Sequence, residues 1–182
     1  MDSNLLKQNE SFVQSVEEHE EWFRALTKGQ SPDVFMLACS DSRVSPSIIT
    51  NAPLGTVFIH RNIANQIDLE DKSFAASLYY ALHVLKVKEV AVKGHTNCGG
   101  IQAACAGVQD EEIANWLDNV QDAIESKQQE GERDLDELAK HNVLQQVERL
   151  KNHPVYQKYG ENAHICGYLY HMETGQLEKL TS

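Results

Sequence analysis

The chain has 182 residues, of which 41% are hydrophobic and 24% charged, a balance typical of a globular domain and not of a disordered or disulfide-scaffold chain. Its formal net charge of −11 repels phosphate backbones and anionic lipid, so we expect neither nucleic acid nor a membrane as a partner. The longest apolar runs, such as residues 34–39, are far shorter than the roughly 20 residues that span a bilayer.

The N-terminal segment is rich in acidic residues, which fits neither a secretory signal nor an arginine-rich transit peptide. Four cysteines in a chain of this length, without an export signal, indicate free thiols and not a disulfide framework. We therefore expect a cytoplasmic protein. Cys105 and Cys166 lie in apolar segments, where we expect them to pack as small buried hydrophobic residues.

Residues 4–26 carry apolar side chains at a loose helical spacing and predict one or two amphipathic helices, which Gly29 and Pro32 terminate. We interpret residues 1–32 as an N-terminal helical arm and residues 33–182 as the α/β domain that carries the candidate site. The helices of the arm cannot bury their apolar faces alone, so they need a surface on which to dock.

The α/β domain begins with a continuous apolar run at residues 34–39, which predicts a strand covered on both faces. A β-branched and aromatic run at residues 56–60 predicts a second strand, and residues 74–85 then repeat apolar side chains at the period of a four-turn helix. A third strand is predicted at residues 89–93. Strand, helix and strand in this order indicate parallel pairing with right-handed crossovers.

The second half of the chain continues the alternation of helices and strands. The predicted elements are a helix at 101–106, helices within 111–150 separated at Gly131, a strand at 163–171, a turn at 173–175 and a return strand at 176–180. We find no internal repeat. The sequence thus predicts one α/β domain with a mostly parallel central β-sheet flanked by helices, an N-terminal helical arm and a C-terminal β-hairpin.

Metal-ligating side chains follow two of the predicted strands at the point where each ends. Cys39 ends the first strand, and His95 and Cys98 lie in the loop after the third. Because the carboxyl ends of parallel strands meet at one edge of a sheet, we expect these side chains to lie close together. Two cysteines and one histidine with an open fourth position are a known ligand set for catalytic zinc. The sequence therefore predicts a Cys₂His zinc site.

An acid and a base lie directly after the first of these candidate ligands. Asp41 and Arg43 are two residues apart and can pair as carboxylate and guanidinium. A carboxylate beside a metal site either ligates the ion or accepts a proton from metal-bound water, and an arginine partner decides where it points. The alternative interpretation is a surface ion pair that contributes little.

Two further interpretations of the thiols need no metal. A phosphatase-like site pairs a nucleophilic cysteine with an arginine at the spacing C-x₅-R, whereas Cys39 and Arg43 are spaced C-x₃-R, which weakens that alternative. A thiol-based redox domain is the second. A single His-x-x-Cys pair, taken alone, is also compatible with a packed cysteine and a surface histidine.

Three blocks of the sequence resemble the signature blocks of β-class carbonic anhydrases, in the same order and at fitting separations. They are CSDSRV at 39–44, HRNIAN at 60–65 and GHTNCGG at 94–100. Similarity at residues 142–147, 167–170 and 174–175 extends the resemblance over most of the chain. Thr96, His141 and Tyr168 depart from the residues that are common in the family at those positions.

The resemblance implies a role for each matching residue. Cys39, His95 and Cys98 would bind one Zn²⁺ per subunit. Asp41 and Arg43 would form the catalytic dyad, and Asp41 would become a fourth ligand in a closed state that releases Arg43. The implied substrate-binding residues are Gln30, Phe58, Ile63, Tyr80 and Gly99, with Gln30 as a hydrogen-bond donor to bicarbonate.

The activity implied by the resemblance is that of a carbonic anhydrase, a zinc lyase. It is the reversible hydration of carbon dioxide to bicarbonate and a proton by attack of zinc-bound hydroxide. The first alternative is hydrolysis of carbonyl sulfide or carbon disulfide by the same fold and zinc site. The second is a non-catalytic protein that binds zinc or bicarbonate, against which the presence of both Asp41 and Arg43 argues. The resemblance also implies a homodimer, or a dimer of dimers, in which the N-terminal helices wrap the neighbouring subunit and the pocket lies near the interface.

Overall fold

The computed structural model describes residues 4–16 and 20–181, and it divides the chain into two units, residues 1–30 and 31–182. The first unit contains helices α1 (Asn4–Val16) and α2 (Glu20–Leu26). The aromatic rings of Phe12 and Phe23 join the two helices edge to face, with centroids 6.2 Å apart. No residue of α1 is buried. Of the one or two predicted N-terminal helices, two are therefore present, and Leu5, Leu6, Phe12 and Val13 of α1 are exposed.

A five-stranded sheet forms the centre of the second unit. Its strands are β1 (Val34–Cys39), β2 (Val57–Asn62), β3 (Glu89–His95), β4 (His164–His171) and β5 (Gln176–Lys179). They lie in the order β2-β1-β3-β4-β5; β1 to β4 are parallel, and β5 returns antiparallel to β4. The predicted fold class, a mostly parallel sheet with a C-terminal hairpin, is confirmed.

Six helices of the second unit connect and flank these strands among the described residues. They are α3 (Pro46–Ile49), α4 (Lys72–Tyr79), α5 (Gly99–Cys105), α6 (Ala114–Gln129), α7 (Leu135–Lys151) and α8 (Pro154–Tyr159), and α4 continues as a π-helical turn at Tyr80–Leu85. The sequence did not predict α3 and α8. Both are short and begin at a proline, which is favoured at the first helical position because its missing N–H has no helical partner there.

Side chains alternate between the two faces of the sheet, as they must along a strand. In β1, Phe35 and Leu37 pack into the main core together with Phe74 of α4. Met36 and Ala38 point to the opposite face, where they form a small separate cluster with Ala91 of β3. Residues 35–39 are all buried, which explains why this strand has a continuous apolar sequence instead of an alternating one.

Among the described helices, none combines the length and the apolar character needed to cross a membrane.

The expectation that Cys105 is buried is wrong, because its side chain is exposed. The buried face of α5 carries Ile101 and Ala104, and each helical residue is rotated by about 100° from the one before it, which turns Cys105 away from the core.

Candidate metal centre

Three metal-ligating side chains converge at the carboxyl edge of the sheet. Cys39 is the last residue of β1, His95 is the last residue of the neighbouring strand β3, and Cys98 is the N-cap of α5. The ligating atoms of the three lie within 4.8 Å of one another. All three residues are at least 95% buried, with exposures of 4%, 0% and 3%. The strand order thus assembles from distant segments the ligand set that the sequence predicts.

The imidazole of His95 is held in the orientation and tautomer of a metal ligand. Its Nδ1 lies 2.8 Å from the carbonyl oxygen of Thr96, and because a carbonyl can only accept, Nδ1 carries the proton and donates it. The lone pair is then on Nε2, which is buried and has no hydrogen-bond partner among the described residues. A buried, unpaired acceptor beside two thiols is costly unless a cation binds there, so the donor set fits a metal ion such as zinc.

The thiols of Cys39 and Cys98 shift each other's pKa in opposite directions. The Cys98 side chain hydrogen-bonds to Cys39 and lowers the pKa of Cys39, while the same contact, together with burial, raises the pKa of Cys98. The backbone N–H of Ala64 also points at the sulfur of Cys39, at 3.4 Å. The site therefore favours one thiolate and one thiol, and a divalent cation held by both sulfurs would displace the remaining proton.

Asp41 and Arg43 form a bidentate ion pair beside the ligands. Arg43 donates from Nε to Oδ1 of Asp41 at 3.0 Å and from Nη2 to Oδ2 at 2.7 Å. The backbone N–H of Arg43 donates to the same carboxylate, and Nη2 also reaches the carbonyl of Asn97. These bonds from Arg43 hold the pKa of Asp41 well below its usual range, so the carboxylate is ionised and can only accept hydrogen bonds. Its Oδ2 lies 3.9 Å from Nε2 of His95, which places the dyad at the mouth of the ligand set.

Two cations that the sequence analysis did not single out, one half-buried and one fully buried, support the loop that carries this dyad. Arg61 donates from Nε to the carbonyl of Cys39 at 2.9 Å and from Nη2 to the carbonyl of Asp41 at 2.7 Å. Lys93, which is fully buried, donates from Nζ to the carbonyl of Val44 at 2.8 Å. Burial, and then the charge of Arg61, lower the pKa of Lys93 to about 8. Arg61 lies inside one of the signature blocks. Lys93 interrupts an otherwise apolar strand, and this interruption is the sequence signal that could have identified it.

A buried network of amides fixes the segment behind the site. Gln66 donates to the carbonyl of Ala64 at 2.8 Å and to Oδ1 of Asn142 at 2.8 Å. Asn142 donates to the same carbonyl of Ala64, and Gln146 bonds to both of the other amides. Ala64 adopts a left-handed backbone with φ of 58°, a strained conformation for a residue with a side chain, and the network offsets that cost. The spacing of Asn142 and Gln146, one turn apart on α7, is the sequence signal of this role.

A cavity of about 350 Å³ opens beside the ligands. It is lined by Cys39, Ser40, Asp41, Ile63, Gly99, Gly100, Ala103 and Ile113. Of the predicted substrate-binding residues, Ile63 and Gly99 thus lie in this wall. Phe58 and Tyr80 do not lie among the described residues that line it, since they pack on each other at the edge strand β2 with ring centroids 5.8 Å apart. Gln30 is the last residue of the first unit and is exposed.

Gly100 allows helix α5 to approach Ile63 and Ala64 closely. A Cβ added at this position would lie 2.8 Å from Cγ2 of Ile63 and 2.9 Å from Cβ of Ala64, closer than side-chain atoms pack. The wall of the cavity at Ile63 and the hydrogen bond from Ala64 to Cys39 both depend on this approach. The last glycine of the GHTNCGG block is therefore required for a steric reason.

Comparison with known proteins extends the similarity beyond the short blocks. Residues 34–177 match the model of a family described as carbonic anhydrase. A carbonic anhydrase of Emericella nidulans is 36% identical over 170 residues, which cover 88% of this chain and 74% of that protein. A tetrameric β-carbonic anhydrase from Sordaria macrospora has a similar crystal structure, with a TM-score of 0.89 and 26% identity over 98% of this chain and 95% of that one. The β-carbonic anhydrase CafA of Aspergillus fumigatus superposes with a TM-score of 0.85 and 32% identity, covering 97% of this chain and 88% of that chain.

Proposed function

The chain belongs to the β class of the carbonic anhydrase family and is an enzyme of that kind, and we propose that it catalyses the reversible hydration of carbon dioxide to bicarbonate and a proton. The observation that carries this proposal is the buried set of Cys39, His95 and Cys98 with the Asp41–Arg43 ion pair at its mouth. A phosphatase or redox site would not need the unpaired, buried Nε2 of His95.

We propose zinc as the metal of this site, one ion per subunit. The sulfurs of Cys39 and Cys98 and Nε2 of His95 would hold the ion, and the fourth position would face the cavity. When bound there, zinc would act as a Lewis acid that lowers the pKa of a coordinated water. The hydrogen bond from Nδ1 of His95 to the carbonyl of Thr96 keeps the imidazole from turning away.

Asp41 orients the attacking water in this proposal. Its carboxylate is ionised, so it accepts a hydrogen bond from the water and directs the water's lone pair towards the substrate carbon. Arg43 positions the carboxylate through two parallel bonds and is itself tied to the carbonyl of Asn97. The intact ion pair favours the open arrangement of the site, in which Asp41 is not a ligand.

The cavity suits a small, largely apolar substrate. Ile63, Ala103 and Ile113 supply apolar walls, and the backbone of Gly99 faces the same space. Because one chain does not bring Phe58 and Tyr80 to this wall, we propose that these residues, and Gln30 as a donor to bicarbonate, complete the pocket from a partner subunit.

We propose a homodimer or a dimer of dimers as the active assembly. The exposed apolar side chains of α1 need a partner surface, and the similar enzyme from Sordaria macrospora is described as tetrameric. The cytoplasm, where thiols stay reduced, suits an enzyme with four free cysteines, and we propose that location.

The test is the ratio of two activities on one preparation whose zinc content has been measured. Initial rates of carbon dioxide hydration and of carbonyl sulfide hydrolysis are compared above and below pH 8. We expect fast hydration and slow hydrolysis of carbonyl sulfide, with both rates rising together with pH since one nucleophile serves both. A reversed ratio would make the protein a carbonyl sulfide hydrolase, and zinc without either activity would indicate a zinc- or bicarbonate-binding protein.

The matched control for the metal is Cys98→Ser compared with Cys105→Ser. We expect Cys98→Ser to lose zinc and activity together, and Cys105→Ser, which changes an exposed thiol, to keep both. Activity that survives complete loss of zinc would contradict the proposal and favour thiol chemistry.

A further inference from the structure

A second group of metal-ligating side chains lies on the same sheet at its opposite end. Glu89 begins β3 and His164 begins β4, and the two residues are register partners across the parallel pair. Cys166 is two residues further along β4 and therefore points to the same face. A carboxylate oxygen of Glu89, a ring nitrogen of His164 and the sulfur of Cys166 all lie within 4.8 Å of one another.

The atoms of this group lie close to the spacing that a metal ion needs. In a tetrahedral zinc site, bonds of about 2.0–2.3 Å place the ligand atoms roughly 3.3–3.7 Å apart. Oε2 of Glu89 and Nε2 of His164 are at hydrogen-bond distance, 3.1 Å, slightly closer than that spacing. The sulfur of Cys166 lies within 4.8 Å of both.

A second hydrogen bond fixes the carboxylate of this group. The hydroxyl of Tyr168, on the same face of β4, donates to Oε1 of Glu89 at 3.0 Å and leaves Oε2 for His164. Such outer hydrogen bonds to a ligating carboxylate are typical of metal sites.

Burial in the group is graded from closed to open. Cys166 is fully buried, the side chain of Glu89 is 21% exposed and that of His164 is 61% exposed. The group is therefore open to solvent on the side of His164. A mixed oxygen, nitrogen and sulfur donor set is that of a borderline cation and unlike the all-oxygen sets that bind calcium or magnesium.

We propose that Glu89, His164 and Cys166 form a second binding site for a divalent zinc-type cation, with water in the fourth position. The site is separate from the candidate catalytic centre, because the six steps along the strand from Glu89 to His95 span about 20 Å. Its existence does not depend on the reaction catalysed at the other end of the sheet. A cation bound there would link β3 and β4 at the end of the sheet where both strands begin.

The experiment is a titration of the zinc-loaded enzyme with Zn²⁺ and, separately, with Co²⁺. We expect a second equivalent to bind reversibly and more weakly than the first, and Co²⁺ in the second site to give a thiolate-to-cobalt absorption band. His164→Ala is expected to weaken the second equivalent at least tenfold, and Cys166→Ser to remove the band. Carbon dioxide hydration by both variants should stay at the wild-type rate, which shows that they fold.

Matched controls change the same residue types elsewhere in the chain. His83→Ala and Cys105→Ser alter an exposed imidazole and an exposed thiol, and both variants should keep the second equivalent. Because Cys166 is fully buried and its replacement can destabilise the fold, Glu89→Gln is the third variant; it keeps the side-chain size and should also weaken binding. Binding of a single equivalent by the wild type, or a second equivalent that survives both His164→Ala and Glu89→Gln, would overturn the proposal.

Discussion

At the scale of single residues, the chemistry of the site depends on which atoms are already satisfied by the protein. His95 donates through Nδ1 and leaves Nε2 free, whereas the carboxylate of Asp41 is saturated on one side by Arg43. Arg61 and Lys93 donate hydrogen bonds to backbone carbonyls of the loop that carries Asp41 and Arg43. The reactive groups are therefore positioned before any ligand binds, which is the condition for efficient catalysis.

The first prediction at this scale concerns Asp41→Asn. The amide keeps the shape of the side chain but loses the charge, so it no longer forms the ion pair with Arg43. We expect kcat/KM for carbon dioxide to fall about 10- to 100-fold while the zinc content stays the same. The control is Asp33→Asn, which removes an exposed carboxylate paired with Lys88 and should leave the rate unchanged. Wild-type turnover by a fully zinc-loaded Asp41→Asn enzyme would refute the role of the dyad.

At the scale of elements, the short helix α8 is set by its cap and not by hydrophobic periodicity. Helix α8 begins at Pro154 and is capped by His153, whose Nδ1 accepts the N–H of Val155 at 3.2 Å. The ring of His153 is 1% exposed and meets Phe74 edge to face, with centroids 5.5 Å apart. Burial lowers the pKa of His153, so the residue is neutral in the folded state and its capping lone pair is retained.

This burial predicts a dependence of stability on pH. Since the pKa of His153 is lower in the folded than in the unfolded chain, the unfolded chain takes up a proton first as the pH falls below about 6.5. The free energy of unfolding should therefore decrease from pH 7.5 to pH 5.5, by at most about 1.4 kcal/mol per pH unit from this group. His153→Asn keeps a capping side chain that does not titrate, so its slope should be smaller.

Chemical denaturation of both proteins across this pH range measures the two slopes. Between pH 7.5 and 8.5, where His153 is neutral in both states, the slopes should agree. His60, whose pKa burial also lowers, leaves a residual slope in the variant. Equal slopes for wild type and variant between pH 7.5 and 5.5 would contradict the assignment.

At the scale of the whole molecule, helix α1 of the N-terminal unit carries exposed apolar side chains. Leu5, Leu6, Phe12 and Val13 of α1 are 74%, 65%, 41% and 48% exposed. A helix of 13 residues is marginally stable alone and gains most of its stability from packing its apolar face. In the proposed assembly, a second subunit would both cover this helix and complete the substrate pocket.

The corresponding prediction is that Leu5→Asp combined with Phe12→Asp shifts the protein towards the monomer and lowers carbon dioxide hydration with it. Both substitutions place a charge where the proposed interface buries an apolar side chain. Light scattering after size exclusion measures the mass, and the control is Gln8→Asp with Gln14→Asp, which adds the same charge at polar positions of the helix. An assembly that survives the apolar pair unchanged would remove α1 from the interface.

Much of the fold could be predicted because each strand has a recognisable pattern of apolar residues in its own short segment of sequence. Residues 34–39 are apolar throughout since both faces of β1 are buried, and the candidate ligands follow β1 and β3 because parallel strands present their carboxyl ends together. The pocket was less predictable. Ile63 reaches the cavity next to Gly99, whereas Phe58 and Tyr80 pack together away from it, a difference that depends on the course of the chain between strands and not on local pattern.

The sequence by itself determined the class of the fold, the strand ends that carry Cys39 and His95, and the two-residue spacing of Asp41 and Arg43. These features depend on periodicity and short-range spacing, which the order of residues contains directly. Only the tertiary structure decided that Glu89 lies opposite His164, that Lys93 is buried beneath the dyad loop, and which tautomer His95 adopts. Each of these depends on strand register and on contacts between segments far apart in the chain, and such contacts form only when the whole sheet is assembled.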